Sequence, residues 1–422
     1  MTNALPTDLV ARWAVSGAMA LTGRPDGPGL GPPAGLVPGL ERLARPFPDV
    51  DPLALITERA AIAGLIRRGR ESCGRSCRLL PTADDWLAIS LPRPEDVELV
   101  PAWLEVGPSQ GGASPGAEPP WPAIAAAVAH RPAEEVVDRG TMLGLAVAAV
   151  GTAAVRDPVV GTVFGAAPPT GGLLGRRLTG PGQPDGLSPL VVVDLSALWA
   201  GPLCGALLAG AGATVVKVEA TGRPDGARFG PSAFFDRLNA SKRSVALDLT
   251  TSTGISALQR LIAQADLVIE SSRPRALRQL GIDAAAILAG ASTGPRIWVS
   301  ITGHGRDDDP GRIGFGDDAA AAGGLVVDDG TGPLFCADAV ADPCAGLAAA
   351  GACIDALAAD GRWLLDVSMS AVAASLAGPT LGLPPGLSAS APKPPNASTP
   401  APSLGADTSA VLAELDEPDV RP

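Results

Sequence analysis

Histidine is almost missing from this chain, which carries only His130 and His304. Neither belongs to a cluster with metal-ligand spacing, and no serine sits in a G-x-S-x-G elbow, so zinc chemistry and serine-based acyl transfer have no support. Cysteine is present without pattern. Of Cys73, Cys77, Cys204, Cys336, Cys344 and Cys353, only Cys73-Gly-Arg-Ser-Cys77 is a close pair, and its gap differs from the C-x-x-C redox spacing. Reduced thiols in a cytoplasmic setting are the expectation. No apolar run reaches the ~18–20 residues that a membrane span needs, and the opening MTNALPTDLVARW lacks a basic stretch leading into an apolar core. No membrane partner and no signal peptide are therefore expected. Basic charge is also short. Against 44 Asp and Glu stand 32 Lys and Arg, and the net charge of −12 argues against a nucleic-acid partner. The acidic runs Asp307–Asp309 and Asp317-Asp318 read as a polar turn and a helix start, so no metal is expected.

What remains is apolar and loop-rich. With 422 residues and 46% hydrophobic content the chain has enough material for two cores, while 52 Gly and 43 Pro supply many short loops. Loops or linkers are read at 23–33, 107–122 and 180–189. The resulting division is a helical lead-in over 1–60, a small α+β module over 61–178, and a large unit over 189–380. A Pro/Ala/Ser-rich tail over 381–422 is expected to lack fixed structure. In the large unit, apolar strands at 190–194, 213–219, 244–248, 266–270 and 296–301 alternate with helices at 201–211, 254–264, 273–280 and 283–288. Strands apolar on both faces and joined by helices predict an α/β fold with a doubly wound parallel sheet. The lead-in and the module are read as a helix over 53–70, strands at 77–80 and 86–90, and helices at 121–129 and 132–143.

Open sheets of this kind bind ligands beyond the C-terminal ends of their strands. The first strand-to-helix turn, Ser196 to Pro202, lacks the G-x-G-x-x-G of a dinucleotide site but still presents amides at a helix start. Lys217 and Glu219 share one face of the next strand, and Arg223, Arg228, Lys242 and Arg243 follow, forming the main basic concentration in an acidic chain. A phosphate-bearing ligand suits that charge; a solvated loop explains it equally. Asp342 precedes Pro343 at the head of an Ala-rich helix. That pattern is an N-cap with proline in first helical position, and it would also hold a carboxylate ionised.

Several ordered blocks carry a resemblance. They are VVVDLSALWAGP (191–202), GATVVKVE (212–219), LNASKRSVALD (238–248), ADLVIESSRP (265–274), SITG (300–303), VADPCAGL (340–347) and GRWLLDVS (361–368). Together they resemble the family III CoA-transferases, the CaiB–BaiF group. The resemblance implies a Rossmann-like CoA-binding unit, no bound cofactor beyond coenzyme A as co-substrate, and an acyl-CoA with a carboxylic acid as partners. Asp342 corresponds to the nucleophile, which passes through an aspartyl-CoA thioester. CoA contacts fall on Leu198, Ala200, Gly201, Lys217, Arg223, Arg228, Leu238, Lys242, Ser271 and Ser272. A homodimer or pseudo-dimer is implied as well.

The departures are specific. Glu270-Ser271-Ser272-Arg273-Pro274 stands where the family reads Glu-Asn-Phe-Arg-Pro, and Gln279 replaces a frequent arginine. Phe315 occupies the position of the histidine that the related racemases use, which favours transfer over racemisation. The small α+β module precedes the large unit instead of being inserted in it. A faint echo of the C-terminal half in the N-terminal one puts Gly35 where Asp342 would fall. The family's glycine-rich loop is matched to 107–116. A non-catalytic CoA-binding scaffold or partner subunit is the alternative reading, and acyl-CoA racemisation a further one.

Overall fold

The computed structural model describes residues 6–105, 118–154, 156–164, 187, 190–272, 274–290, 294–308 and 311–416. The strands β1 (Cys77–Pro81), β2 (Trp86–Ser90) and β3 (Ala146–Ala149) form an antiparallel sheet in that order. Helices Val100–Leu104, Trp121–Val128 and Ala133–Met142 cover it, and Leu87, Ile89, Trp103, Ile124 and Val136 fill the core between. The 107–116 loop lies outside the described residues.

The large sheet contains β4 (Val159–Phe164), β5 (Val191–Asp194), β6 (Thr214–Ala220), β7 (Arg243–Leu247), β8 (Leu267–Glu270) and β9 (Ile297–Thr302). A short hairpin follows, β10 (Val326–Asp328) with β11 (Pro333–Phe335), and then β12 (Arg362–Ser368), which returns to the large sheet. The strand order is β4-β12-β9-β8-β5-β6-β7. Every pair is parallel except β4 with β12. Counting β5, β6, β7, β8, β9 and β12 as one to six, the parallel part runs 6-5-4-1-2-3, the doubly wound order that reverses between the first and fourth strands. The gap beyond the ends of β5 and β8 is therefore where this topology places a ligand.

Three expectations give way here. First, β4 lies within the segment assigned to the small module, yet it pairs antiparallel with β12 at the edge of the large sheet. Only Val159 is buried and the rest of the strand is exposed or half-buried, as suits an edge strand. Second, the stretch read as one helix over 53–70 forms Pro52–Leu55 and Glu58–Ala63, with Gly64 in left-handed conformation ending the latter. Third, the described part of the tail is packed. Ser390 N donates to Ala14 O (2.9 Å), Ala401 N to an Asp236 carboxylate oxygen (2.8 Å), and the Thr408–Glu414 helix lies beside β7 with Val411 buried. Between residues 382 and 403 Pro and Ser bar helix and strand without barring fixed contacts to a neighbouring surface.

The Ala341–Leu357 helix runs through the main core. It is apolar on all sides, as a helix enclosed by protein must be. Trp13, Met19, Leu36 and Leu40 of the lead-in join its core cluster, as does Leu203 of the Ala200–Gly210 helix. Small residues let these axes approach. A Cβ added at Gly346 would stand 2.7 Å from Ala200 O and 2.9 Å from Leu203 Cδ2. Gly346→Ala is thus expected to destabilise the chain by about 1–3 kcal/mol through overpacking, read as a lowered midpoint in chemical denaturation.

Candidate active site

Asp342 is the second residue of the Ala341–Leu357 helix, whose N-cap is Val340. The sequence expectation made Asp342 itself the cap. The backbone turns earlier than Pro343 suggests, and Asp342 N already donates to Ala339 O (3.0 Å). Its carboxyl accepts no hydrogen bond among the described residues, so the amides at the helix start do not claim it. The residue keeps partial exposure. Gly316, at the head of the Gly316–Ala322 helix, faces it directly: a Cβ there would lie 2.2 Å from Asp342 Oδ2 and 2.5 Å from Ala339 O.

The loop before Asp342 is strained. Ala337 (φ 55°) and Ala339 (φ 42°) both occupy the left-handed region, which costs ~1–3 kcal/mol for each non-glycine residue and persists only where neighbours enforce it. Three contacts do so. Ala337 N donates to Thr22 Oγ1 (3.0 Å), Ala339 N to Asp317 Oδ1 (3.0 Å), and the Arg59 guanidinium forks onto both oxygens of Asp338, with Nε 2.8 Å from Oδ2. Arg59 also lies over the Trp199 ring, 5.2 Å from its centre, and so joins this loop to the turn after β5.

Charge is crowded around Asp342. Burial pushes its carboxyl up to about 7; Arg59 opposes the rise, and Asp317, Asp318 and Asp338 add to it. Burial likewise lifts Asp317 to about 6 and Asp318 to about 7. Asp318 accepts from Ser90 Oγ (2.6 Å) on β2 and from Phe315 N (3.0 Å). The carboxyl cluster thus bridges the small sheet and the large unit. The expectation that the helix terminus holds Asp342 ionised gives way, because desolvation and like charges outweigh a dipole whose amides the carboxyl does not touch.

Beyond β5 the chain turns through Leu198, an exposed residue with φ 69° whose N donates to Asp225 Oδ1 (2.9 Å). Ala200 is buried, and Gly201 is pressed on Ser196, whose Cβ would lie 2.2 Å from an added Cβ. The two lysines turn inward. Lys217 Nζ donates to Ser196 O (2.9 Å) and pairs with Asp225 (2.8 Å), while Lys242 Nζ binds Asp194 Oδ2 (2.7 Å) and Pro202 O (2.8 Å). Arg228 is tied to Glu219 (2.6 Å) and stacks on Phe235, and Leu238 is core. Arg223 is exposed, and Ser271 and Ser272 are half-buried beside the turn, Ser271 Oγ accepting from Ala197 N (3.1 Å). The turn and Asp342 are neighbours, since Gly346, one helical turn past Asp342, abuts Ala200 O. Leu198, Ala200, Gly201 and Ser271 therefore gather at the switch point, where Ala200 meets the Asp342 helix at Gly346, with the lysine ammonium groups bonded to the carbonyls of Ser196 and Pro202.

Sequence reasoning missed Arg59, Thr22, Asp338 and Ser90, which lie far along the chain from their partners and carry no local motif. Asp317-Asp318 was legible as a helix start, and Asp318 does accept from Phe315 N in a capping box. Phe315 is half-buried with the Arg93 guanidinium over its ring at 5.9 Å. His304 is buried; both ring nitrogens lack partners among the described residues, and burial, then Arg312, push it down to about 4.

Comparison with known proteins matches residues 187–408 to the model of CoA-transferase family III. An acyl-CoA transferase of Fusarium pseudograminearum is 34% identical over 42% of this chain and 42% of its own length. The succinyl-CoA–D-citramalate CoA-transferase of Chloroflexus aurantiacus is 33% identical over 34% of this chain and 37% of its own. Among solved structures, a CaiB/BaiF family protein from Brucella suis aligns with TM-score 0.40 at 28% identity, covering 44% of this chain and 53% of that one. The chain spans less than half the length of these curated relatives. The family resemblance read from the ordered blocks is borne out, for the matched stretch contains β5 to β9, β12 and Asp342: the chain belongs to CoA-transferase family III.

Proposed function

We propose that the chain moves CoA from an acyl-CoA donor to a carboxylic acid through Asp342. The observation that carries this reading is a carboxyl that accepts no hydrogen bond among the described residues, set beside Gly316 on a helix that meets the turn at the sheet's switch point. The site relatives' names point the same way, since they are CoA-transferases acting on acyl-CoA and carboxylic acids.

In this reading the Asp342 carboxylate attacks the thioester carbonyl, the C–S bond breaks, and CoA thiolate leaves a mixed anhydride behind. The thiolate then attacks the aspartyl carbonyl, releasing the donor acid and forming an aspartyl-CoA thioester. The acceptor carboxylate repeats the first step on that thioester, and thiolate attack on the new acyl group frees Asp342. No net proton is consumed. A partly desolvated carboxylate is the stronger nucleophile, and the raised midpoint of Asp342 is the counterpart of that desolvation. CoA is assigned to the turn Leu198–Gly201, with Arg223 as the exposed cation for a phosphate and Ser271 and Ser272 flanking the pantetheine arm. Lys217, Lys242, Arg228 and Leu238 are assigned the shaping of that floor, in keeping with their internal partners. Cytoplasmic placement and a homodimer or pseudo-dimer belong to the same proposal.

Asp342→Ala is expected to abolish acyl-CoA-dependent transfer while the chain stays folded; full turnover in that variant contradicts the reading. Only the ionised form attacks, so with a midpoint near 7 the rate should climb as pH rises through about 7 and be lost below it. A flat kcat/KM profile between pH 5 and 8 would count against Asp342. Gly316→Ala places a methyl on the carboxyl, and a displacement of this size should reduce kcat by about 10²-fold, measured beside an unchanged circular dichroism spectrum.

A further inference from the structure

Thr22, Arg59 and Cys73 all lie outside the family-matched stretch 187–408, yet all three reach the loop before Asp342. Thr22 Oγ1 takes the Ala337 amide (3.0 Å) and donates to Ala18 O (2.9 Å), so both hydroxyl functions are committed. Cys73 Sγ lies 3.4 Å from Ala337 O. Arg59 forks onto Asp338 and stacks on Trp199. The loop they hold contains two left-handed alanines, a conformation these residues would leave if released. The unit that aims Asp342 is thus built from the N-terminal segment, not from the transferase unit alone.

We infer that Arg59 and Thr22 are positioning residues for Asp342: the N-terminal segment clamps the strained Cys336–Val340 loop through both, and brings the Arg59 guanidinium to the residue four positions before the nucleophile. This rests on the assignment of Asp342 above. The groups acting on Asp342 are Arg59 from the Glu58–Ala63 helix, Asp317 and Asp318 from Gly316–Ala322, and Asp338 from the loop, while the carboxyl in turn helps lift the buried Cys344 thiol on its own helix. Of these, Arg59 favours the carboxylate. A purely structural tie would keep the loop in place without setting the charge state of Asp342.

Carbodiimide coupling with glycine ethyl ester on the full chain, read by peptide mass at Asp342, reports the protonated acid and needs no turnover. The labelling should fade as pH passes about 7 in the native chain. In Arg59→Met the midpoint should move up by roughly one pH unit or more, the shift an adjacent opposite charge sustains. Arg59→Gln, which keeps a donor toward Asp338 and so guards against misfolding, should move the same way. Arg59→Lys should return toward the native midpoint. Coincident midpoints in folded Met, Gln and native chains overturn the inference. Thr22→Val, which removes no charge, should lower kcat by roughly tenfold or more through misplacement of the carboxylate, with the KM for acyl-CoA unchanged; an unchanged kcat overturns the clamp. Turnover by Asp342→Ala would instead sink the reaction assigned above while leaving the labelling midpoints intact.

Discussion

A half-buried carboxyl that accepts no hydrogen bond among the described residues is the constraint around which this structure is organised. Asp342 stands at a helix start, where backbone amides ordinarily satisfy an acid, yet none of them reaches it. Its environment offers carboxyl neighbours and a glycine whose missing side chain leaves room for its oxygen. Such a group is destabilising as a charge. The energetic balance must come from elsewhere in the fold, and the surrounding packing is dense enough to provide it: the Asp342 helix is buried on every side, with glycine and alanine allowing close approach.

The Arg59–Asp338 pair does two jobs in that balance. It neutralises one member of the carboxyl cluster, and burial notwithstanding, Asp338 holds the guanidinium protonated above its ordinary range. It also connects three parts of the chain, since Arg59 touches the loop before Asp342 and the turn after β5 while belonging to the lead-in. Removing one partner of a half-buried pair leaves an uncompensated charge, which is why Gln and Lys at position 59 are more informative than truncation. The arrangement places chemistry where three structural units meet: lead-in, small sheet through Ser90, and large sheet through β5 and β8.

Much of this was legible before any coordinates. The apolar runs ending in Asp194 and Glu270 stand as central parallel strands because both faces are covered, a condition that leaves a continuous hydrophobic signature. The order of blocks around Asp342-Pro343 marked the family. Lys217 and Lys242 read as free cations because sequence shows charge without showing partners; their partners Asp225 and Asp194 lie on separate segments. Arg59 was invisible for the converse reason. It sits in an ordinary amphipathic stretch, and its meaning arises only when Asp338, far along the chain, folds against it. The tail misled through composition: proline and serine keep its first part out of helix and ladder, but the contacts to Asp236 and Ser244 and the helix that buries Val411 anchor it.

The most direct measurement is mass spectrometry of the purified chain held with an acyl-CoA and no acceptor acid, quenched in acid and digested after treatment with a phosphine reductant, which cleaves disulfides and leaves thioesters. A nucleophilic Asp342 predicts CoA linked as a thioester on the peptide that carries it, released by hydroxylamine with the aspartate converted to a hydroxamate. Persistent transfer with that peptide unmodified, or CoA attached only at the Cys344 sulfur and lost on reduction, would contradict the account.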